Sequence, residues 1–377
     1  MTAHHDHLPG GGPAGLRVVV VGATGNMGTA LVRALGEEPA VATVLGLARR
    51  QPDWHPPKTT WATVDLAAGR DGVAGSPADP VRQELIEYFR GADAVVHLAW
   101  LFQPTRDPTV TWRTNVLGTL RVLDAAAAAT VPALVYASSV GAYAPGPKDR
   151  AVDESWPTHG WPAAAYSREK AYVERALDGF EERHPELRVV RLRPGFVFQR
   201  RSATQQRRLF AGPLVPGRLV RPGLLPAVPD LPGLRFQALH AEDAAEACRL
   251  AVLRPVRGPF NLAADPWVDA TLLARLLRTR VVRMPSSPVR GALAAAWRCR
   301  LVPASPELFD TVLRLPMMDT TRAREELGWS PRYSAEEALA EFLEGLRHGA
   351  GMPTAPLASR ARGGRLREAA TGVGGRP

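Results

Sequence analysis

The chain has 377 residues, 45% hydrophobic and 22% charged, a length that suggests two lobes and a composition that excludes a wholly disordered protein. No run approaches the ~20 apolar residues of a membrane span. The start, Met1-Thr-Ala-His-His-Asp6, has neither a basic leader nor an apolar core, and Cys248 and Cys299 have no disulfide or metal-ligand spacing; a cytoplasmic protein without metal is expected. The net charge of +10 is carried almost entirely by arginine, since only Lys58, Lys148 and Lys170 are lysines. Without a basic-aromatic platform, it argues against a specific nucleic-acid role.

In chain order, residues 1–15 are rich in His, Gly and Pro and are expected to be a flexible tail. The β-branched run Arg17–Val21 predicts a first strand, followed by glycines and a helix over 29–35. Further strands are predicted at 44–48, 61–64, 94–99, 133–137 and 187–192, with helices at 116–129 and 164–182. Strands spaced by such helices imply right-handed crossovers and a parallel sheet covered on both faces. After Arg193 the texture changes, with prolines at 213, 216, 222, 226, 229 and 232. Helices resume at 242–253, 271–278, 288–297 and 335–347.

The turn Gly22-Ala-Thr24-Gly25-Asn26-Met27-Gly28 lies between the first strand and the first helix. Glycines there let the backbone approach a pyrophosphate, and the helix N-terminus supplies N–H donors and positive potential. The second strand ends at Ala48, where an acid holding the ribose hydroxyls of NAD would stand, and Arg49 and Arg50 follow. A guanidinium can fork onto a 2′-phosphate, so NADP is expected, with NAD as the alternative.

Tyr166 and Lys170 sit at i,i+4 on a predicted helix and so share a face. An ammonium beside a phenol favours the phenolate and would lower its pKa toward a useful range. The fifth strand runs into Ser138-Ser139, hydroxyls placed to hold a substrate oxygen near the glycine turn.

Together these residues resemble the extended short-chain dehydrogenase/reductase family, also called the NAD-dependent epimerase/dehydratase family, over about residues 16–347. Further supports are Asp65-Leu66, His97-Leu98-Ala99-Trp100, Asn115-Val-Leu-Gly-Thr119, Arg193-Pro194-Gly-Phe-Val197, His240-Ala-Glu-Asp243, Phe260-Asn-Leu-Ala263 and Asp319 to Pro331. The resemblance implies a Rossmann-type doubly wound parallel sheet over 16–194, with 234–264 returning to it. It implies a smaller substrate-binding lobe from 195–233 and 265–350, ahead of a disordered basic tail at 351–377. It makes Ser139, rather than Ser138, the hydroxyl that polarises the substrate, Tyr166 the acid/base, and Lys170 the ribose-binding cation. The cofactor set it implies is Gly22, Thr24, Gly25, Asn26, Met27, Gly28, Arg49, Arg50, Asp65, Leu66, Leu98, Ala99, Trp100, Asn115, Tyr166, Lys170, Pro194 and Val197, with Asn115 set behind the others. His240 and Asp243 read as structural.

The chain departs from the family in two places. Val140-Gly141 follows Ser139 where dehydratases carry Asp-Glu, which disfavours water elimination. Phe196-Val-Phe-Gln199-Arg200 replaces the Asn, Gly and Pro of many nucleotide-sugar members. Nine arginines and no acid lie between Arg188 and Arg221; six of them, Arg200, Arg201, Arg207, Arg208, Arg218 and Arg221, fall where the substrate lobe begins and would suit an anionic group. The expected function is an NADP-dependent oxidoreductase acting on a small carbonyl or alcohol, with room for a homodimer and no membrane partner. The alternatives are a nucleotide-sugar epimerase and a non-catalytic NADP-sensing protein.

Overall fold

A computed structural model describes residues 15–69, 75–212, 217 and 223–359; the expected tail at 1–14, the residues 360–377, and Arg218 and Arg221 lie outside the described residues. Seven parallel strands form the central sheet: β1 Leu16–Val21, β2 Val41–Ala48, β3 Thr59–Thr63, β4 Ala94–His97, β5 Ala133–Ala137, β6 Arg188–Pro194 and β7 Gly258–Leu262. Their order is β7-β6-β5-β4-β1-β2-β3. The order reverses direction between β1 and β4, and that is the switch point where an open α/β sheet opens a crevice at its carboxyl edge.

Alternation along β1 shows how the core is divided. Val18 and Val20 join one buried cluster, Val19 and Val21 the other, because successive strand residues point to opposite faces. Helix α1, Asn26–Glu37, covers the first face with Leu31 and Leu35. Helices α2 Pro80–Phe89, α3 Gly118–Ala128 and α4 Ala165–Arg183 cover the second. Helix α5, Ala241–Leu253, returns to the first face beside α1, burying Ala244 and Cys248. Arg188 donates to the carbonyls of Ala251 and Val252, closing the carboxyl end of α5 that otherwise lacks intrahelical partners.

The expected second lobe holds helices α6 Ala270–Leu277, α7 Ser286–Arg298, α8 Pro306–Arg314 and α9 Ala335–His348, with Leu272, Ala335 and Leu339 packed into the same buried cluster as Val18 and Val20. Phe196–Phe198 pairs in parallel with Ala238–His240 and links it to the sheet. One expectation fails here. Residues 351–359, read as part of a disordered tail, pack against the body: Leu357 is fully buried, and Arg208 donates to the carbonyls of Pro356 and Ala358. Their anchors are distant in sequence, so no local periodicity announces them.

Candidate functional site

The carboxyl edges of β1 to β6 open into one cleft of about 780 Å³. At its centre, β1 runs into the glycine turn. Gly22 has φ +90°, and a Cβ there would meet the Ala99 backbone nitrogen at 2.6 Å; the turn and the strand β4 exit can touch only because that position is glycine. A Cβ on Gly28 would run into the Gly22 carbonyl oxygen. Gly25 caps α1 without any side-chain bond, and the first turn of α1 holds no acid. An uncapped helix N-terminus facing a cleft is suited to an anion.

The hydroxyls of Ser139 and Tyr166 line the same cleft. Ser139 Oγ accepts from the Gly141 N–H at 2.9 Å and contacts the Tyr166 hydroxyl. Ser138 is turned away, its Oγ donating to Glu174 at 2.5 Å, so Ser139 is the serine paired with the phenol. A Cβ at Gly141 would lie 2.5 Å from Tyr166 Cε1, so the phenol ring packs directly on that glycine.

Lys170 Nζ donates to the Ala137 carbonyl at 2.7 Å and to the Tyr136 hydroxyl at 3.2 Å, and lies 3.5 Å from the Trp100 ring centre. Burial pushes its pKa well below the ordinary lysine range, opposed by Glu174 and Glu169. Burial also pushes Tyr166 up to about 12, with the Ser139 contact pulling down and Glu169 pushing up. The expectation that Lys170 lowers the phenol pKa is therefore not met: desolvation dominates, and the ammonium is engaged by Ala137, Tyr136 and Trp100.

Two acids overlooked in the sequence hold this group from behind. Glu174 is one further helical step, i,i+4, from Lys170 on α4, a spacing that could have revealed it. Burial raises its pKa, but two 2.9 Å bonds from Arg193 and that cation's charge hold it below the usual carboxylate range. Arg191 joins Glu174 to Asp178 and Glu181, so these strand arginines are matched by helix acids. Glu169 accepts from Thr111 and Asn115 at 2.6 Å.

Of the expected cofactor set, Gly22, Thr24, Gly25, Asn26, Met27, Gly28, Arg49, Asp65, Leu66, Leu98, Ala99, Trp100, Tyr166, Lys170, Pro194 and Val197 all line the cleft. Asn115 does not. It is fully buried, accepting from Leu101 N and donating to Leu101 O, which fixes the loop after β4; Thr114 lines the cleft instead. Arg50 is likewise outside the lining, leaving Arg49 beside Asp65 and Leu66 at the adenosine end. His240 caps α5 through Glu242 N and stacks on Tyr333, and Asp243 accepts from Arg332 N and Tyr333 N; both are structural. The glycine cradle, the uncapped helix and the hydroxyl pair fit a nicotinamide dinucleotide, whose pyrophosphate would lie at Gly22 to Gly28. Among the described residues, no group of three or more His, Cys, Asp or Glu is arranged to hold a metal, and no helix is long and apolar enough to cross a membrane.

Comparison with known proteins agrees with this architecture. The family model of the NAD dependent epimerase/dehydratase family matches residues 18–263. An uncharacterized protein of Mycobacterium tuberculosis is 27% identical over 337 residues, 88% of this chain but 30% of that protein, so the chain spans less than a third of that relative. A 4-hydroxy-2-methyl-3-oxo-4-farnesyl-3,4-dihydroquinoline-1-oxide ketoreductase of Stigmatella aurantiaca is 28% identical over 280 residues, 68% of this chain and 78% of the enzyme. Among solved structures, the UDP-glucose 4-epimerase of Thermus thermophilus in complex with NAD has a TM-score of 0.63 at 20% identity, covering 88% of this chain and 99% of that one; it shares the fold.

Proposed function

We propose that this chain, which belongs to the NAD dependent epimerase/dehydratase family, is a nicotinamide-dependent oxidoreductase that interconverts a carbonyl and an alcohol. The observation that carries the proposal is the Ser139–Tyr166 hydroxyl pair, with Lys170 beside it, in the same cleft as the uncapped glycine turn. The bound dinucleotide would supply or accept the hydride. Ser139 would hold the substrate oxygen by a hydrogen bond. Tyr166, whose hydroxyl contacts Ser139, would pass the proton to that oxygen in reduction and take it back in oxidation. Lys170, which lines the same cleft, would hold the ribose hydroxyls. Glu174, itself held by Arg193, would keep Ser138 and the end of β5 in place by accepting directly from the Ser138 hydroxyl.

Arg49, exposed at the adenosine end, would pair with a 2′-phosphate, and NADP is the proposed cofactor. The ketoreductase among the relatives supports net carbonyl reduction. Epimerisation of a nucleotide sugar is the second reading, supported by the fold shared with UDP-glucose 4-epimerases; it would use the same three residues without net redox change. Within the arginine-rich segment, Arg207 and Arg208 donate to backbone carbonyls, and Arg207 lines the cleft. A panel of ketones, alcohols and nucleotide sugars with NADPH and NADH, followed at the nicotinamide absorbance and by product analysis, tests the proposal. Net oxidation of NADPH by a ketone is the expected result. Sugar interconversion without net redox would replace this reading by the second.

A further inference from the structure

The wall facing Tyr166 is apolar to a degree that hydride transfer by itself does not require. Phe102 stacks on the Tyr166 ring, centroids 5.0 Å apart and planes within 14°, and Phe210 meets Phe102 edge-on at 5.7 Å. Beyond them the second lobe contributes Leu209, Leu293, Leu308, Phe309 and Val312, each only half-buried and lining the cleft. Helices α7 and α8 turn their charges elsewhere: Arg290 pairs with Asp310 at 2.8 Å, and Arg314 lies over the Trp161 ring. Several polar groups on the same rim have partners, while the buried Trp100 Nε1 beside Tyr166 has none among the described residues. Gln103 donates to Leu209 O and accepts from Thr105 N, Gln206 donates to Val197 O, Arg207 to Gly212 O, and Thr311 to Glu307 O. Gln205 adds a neutral amide.

From this we infer that the substrate is an apolar carbonyl compound, an extended hydrocarbon or fused-ring body carrying one reducible oxygen. Its oxygen is held at Ser139 and Tyr166 and its body lies against the wall of Leu209, Phe210, Leu293, Leu308, Phe309 and Val312. Half-buried apolar side chains lining a cleft gain from any apolar surface that displaces water from them. A diphosphate or a ring of sugar hydroxyls placed there would lose its hydration against groups that return few hydrogen bonds. The assignment rests on the oxidoreductase reading for its chemistry. Reduction consumes one hydride from the reduced dinucleotide, delivered to the carbonyl carbon, and one proton through Tyr166, delivered to the oxygen. It leaves an alcohol and the oxidised dinucleotide, and Tyr166 regains its proton from water.

The test uses the full chain saturated with NADPH, with 2-butanone, 2-octanone, 2-undecanone and UDP-glucose as probes. Binding is measured by calorimetry and turnover by nicotinamide absorbance. Affinity is expected to rise about three- to fourfold per added methylene until the wall is filled, and UDP-glucose to bind more weakly than 2-undecanone. Leu293→Gln, on a helix with no fully buried residue, should weaken 2-undecanone about tenfold with NADPH affinity and melting temperature unchanged; Phe309→Asn should do the same. A flat response to chain length, or tighter binding of UDP-glucose, overturns the assignment. Chain-length-dependent binding with no ketone reduction leaves the apolar site standing and overturns the oxidoreductase reading instead.

Discussion

At the residue scale, burial sets the protonation states around the cleft. His97 ends β4 with Nε2 2.9 Å from Thr119 Oγ1, and burial, then the charge of Lys170, pushes its pKa down to about 3. A folded-state pKa below the unfolded value near 6.5 gives stability that is present above pH 6.5 and lost as the pH falls toward 3. Lowering the pH from 6.5 to 5 should remove about 1.6 kcal/mol of unfolding free energy through this group. Denaturant titrations at the two pH values check this: His97→Gln should abolish most of that slope, and an unchanged slope would show that His97 is not the titrating group. The two arginines after β2 differ as sharply. Arg49→Ala should weaken NADPH about tenfold or more with NADH unaffected, since a charge-assisted bond contributes about 1.5–3 kcal/mol. Arg50→Ala should change neither, and calorimetry on both variants separates them.

At the element scale, the segment 350–359 is the feature that most alters the view of the cleft. Thr354 donates to the Thr24 carbonyl in the glycine turn, Thr204 donates to the Ala350 carbonyl, and Pro356 lines the cleft. Its anchor is Leu357, a buried leucine whose truncation ordinarily costs about 2–5 kcal/mol, an effect limited here to the docking energy of the segment. A chain ending at Ala350 should bind NADPH several-fold more weakly and melt several degrees lower, while one ending at Ser359 should match the full chain. Equal cofactor affinity in both truncations would show that the segment is packing alone. None of this was legible locally, because the bond between Thr354 and Thr24 joins residues 330 positions apart. The strand–helix alternation and the Tyr166–Lys170 pair were legible, since both are written in periods of two and of three to four residues. Helix α2 was overlooked although Asp79-Pro80 spells its start, with Asp79 accepting from Val81 N.

At the scale of the whole molecule, the sheet brings strand ends far apart in sequence to one edge, and helices α7 and α8 line the cleft there with apolar side chains. Part of the arginine excess that invites a polyanion reading is matched inside the fold: Arg121 pairs with Asp79 in the core, Arg188 closes α5, and Arg191 and Arg193 converge on Glu174. Composition could not show this, because pairing depends on which acids the fold brings opposite. Most of the residues proposed to hold the cofactor were readable from motifs as a set that lines one cleft, whereas the apolar wall is assembled from loops and helices at 102, 209–210, 293 and 308–312 that share no local pattern. The central claim is that Tyr166 moves the proton in carbonyl reduction, and it is tested most directly by comparing NADPH-dependent ketone turnover in the parent and in Tyr166→Phe. That substitution removes one hydroxyl and keeps the ring between Phe102 and Gly141. Turnover is predicted to fall about 10²–10⁴-fold with NADPH affinity and melting temperature unchanged; a variant that keeps most of the parent rate would contradict the account.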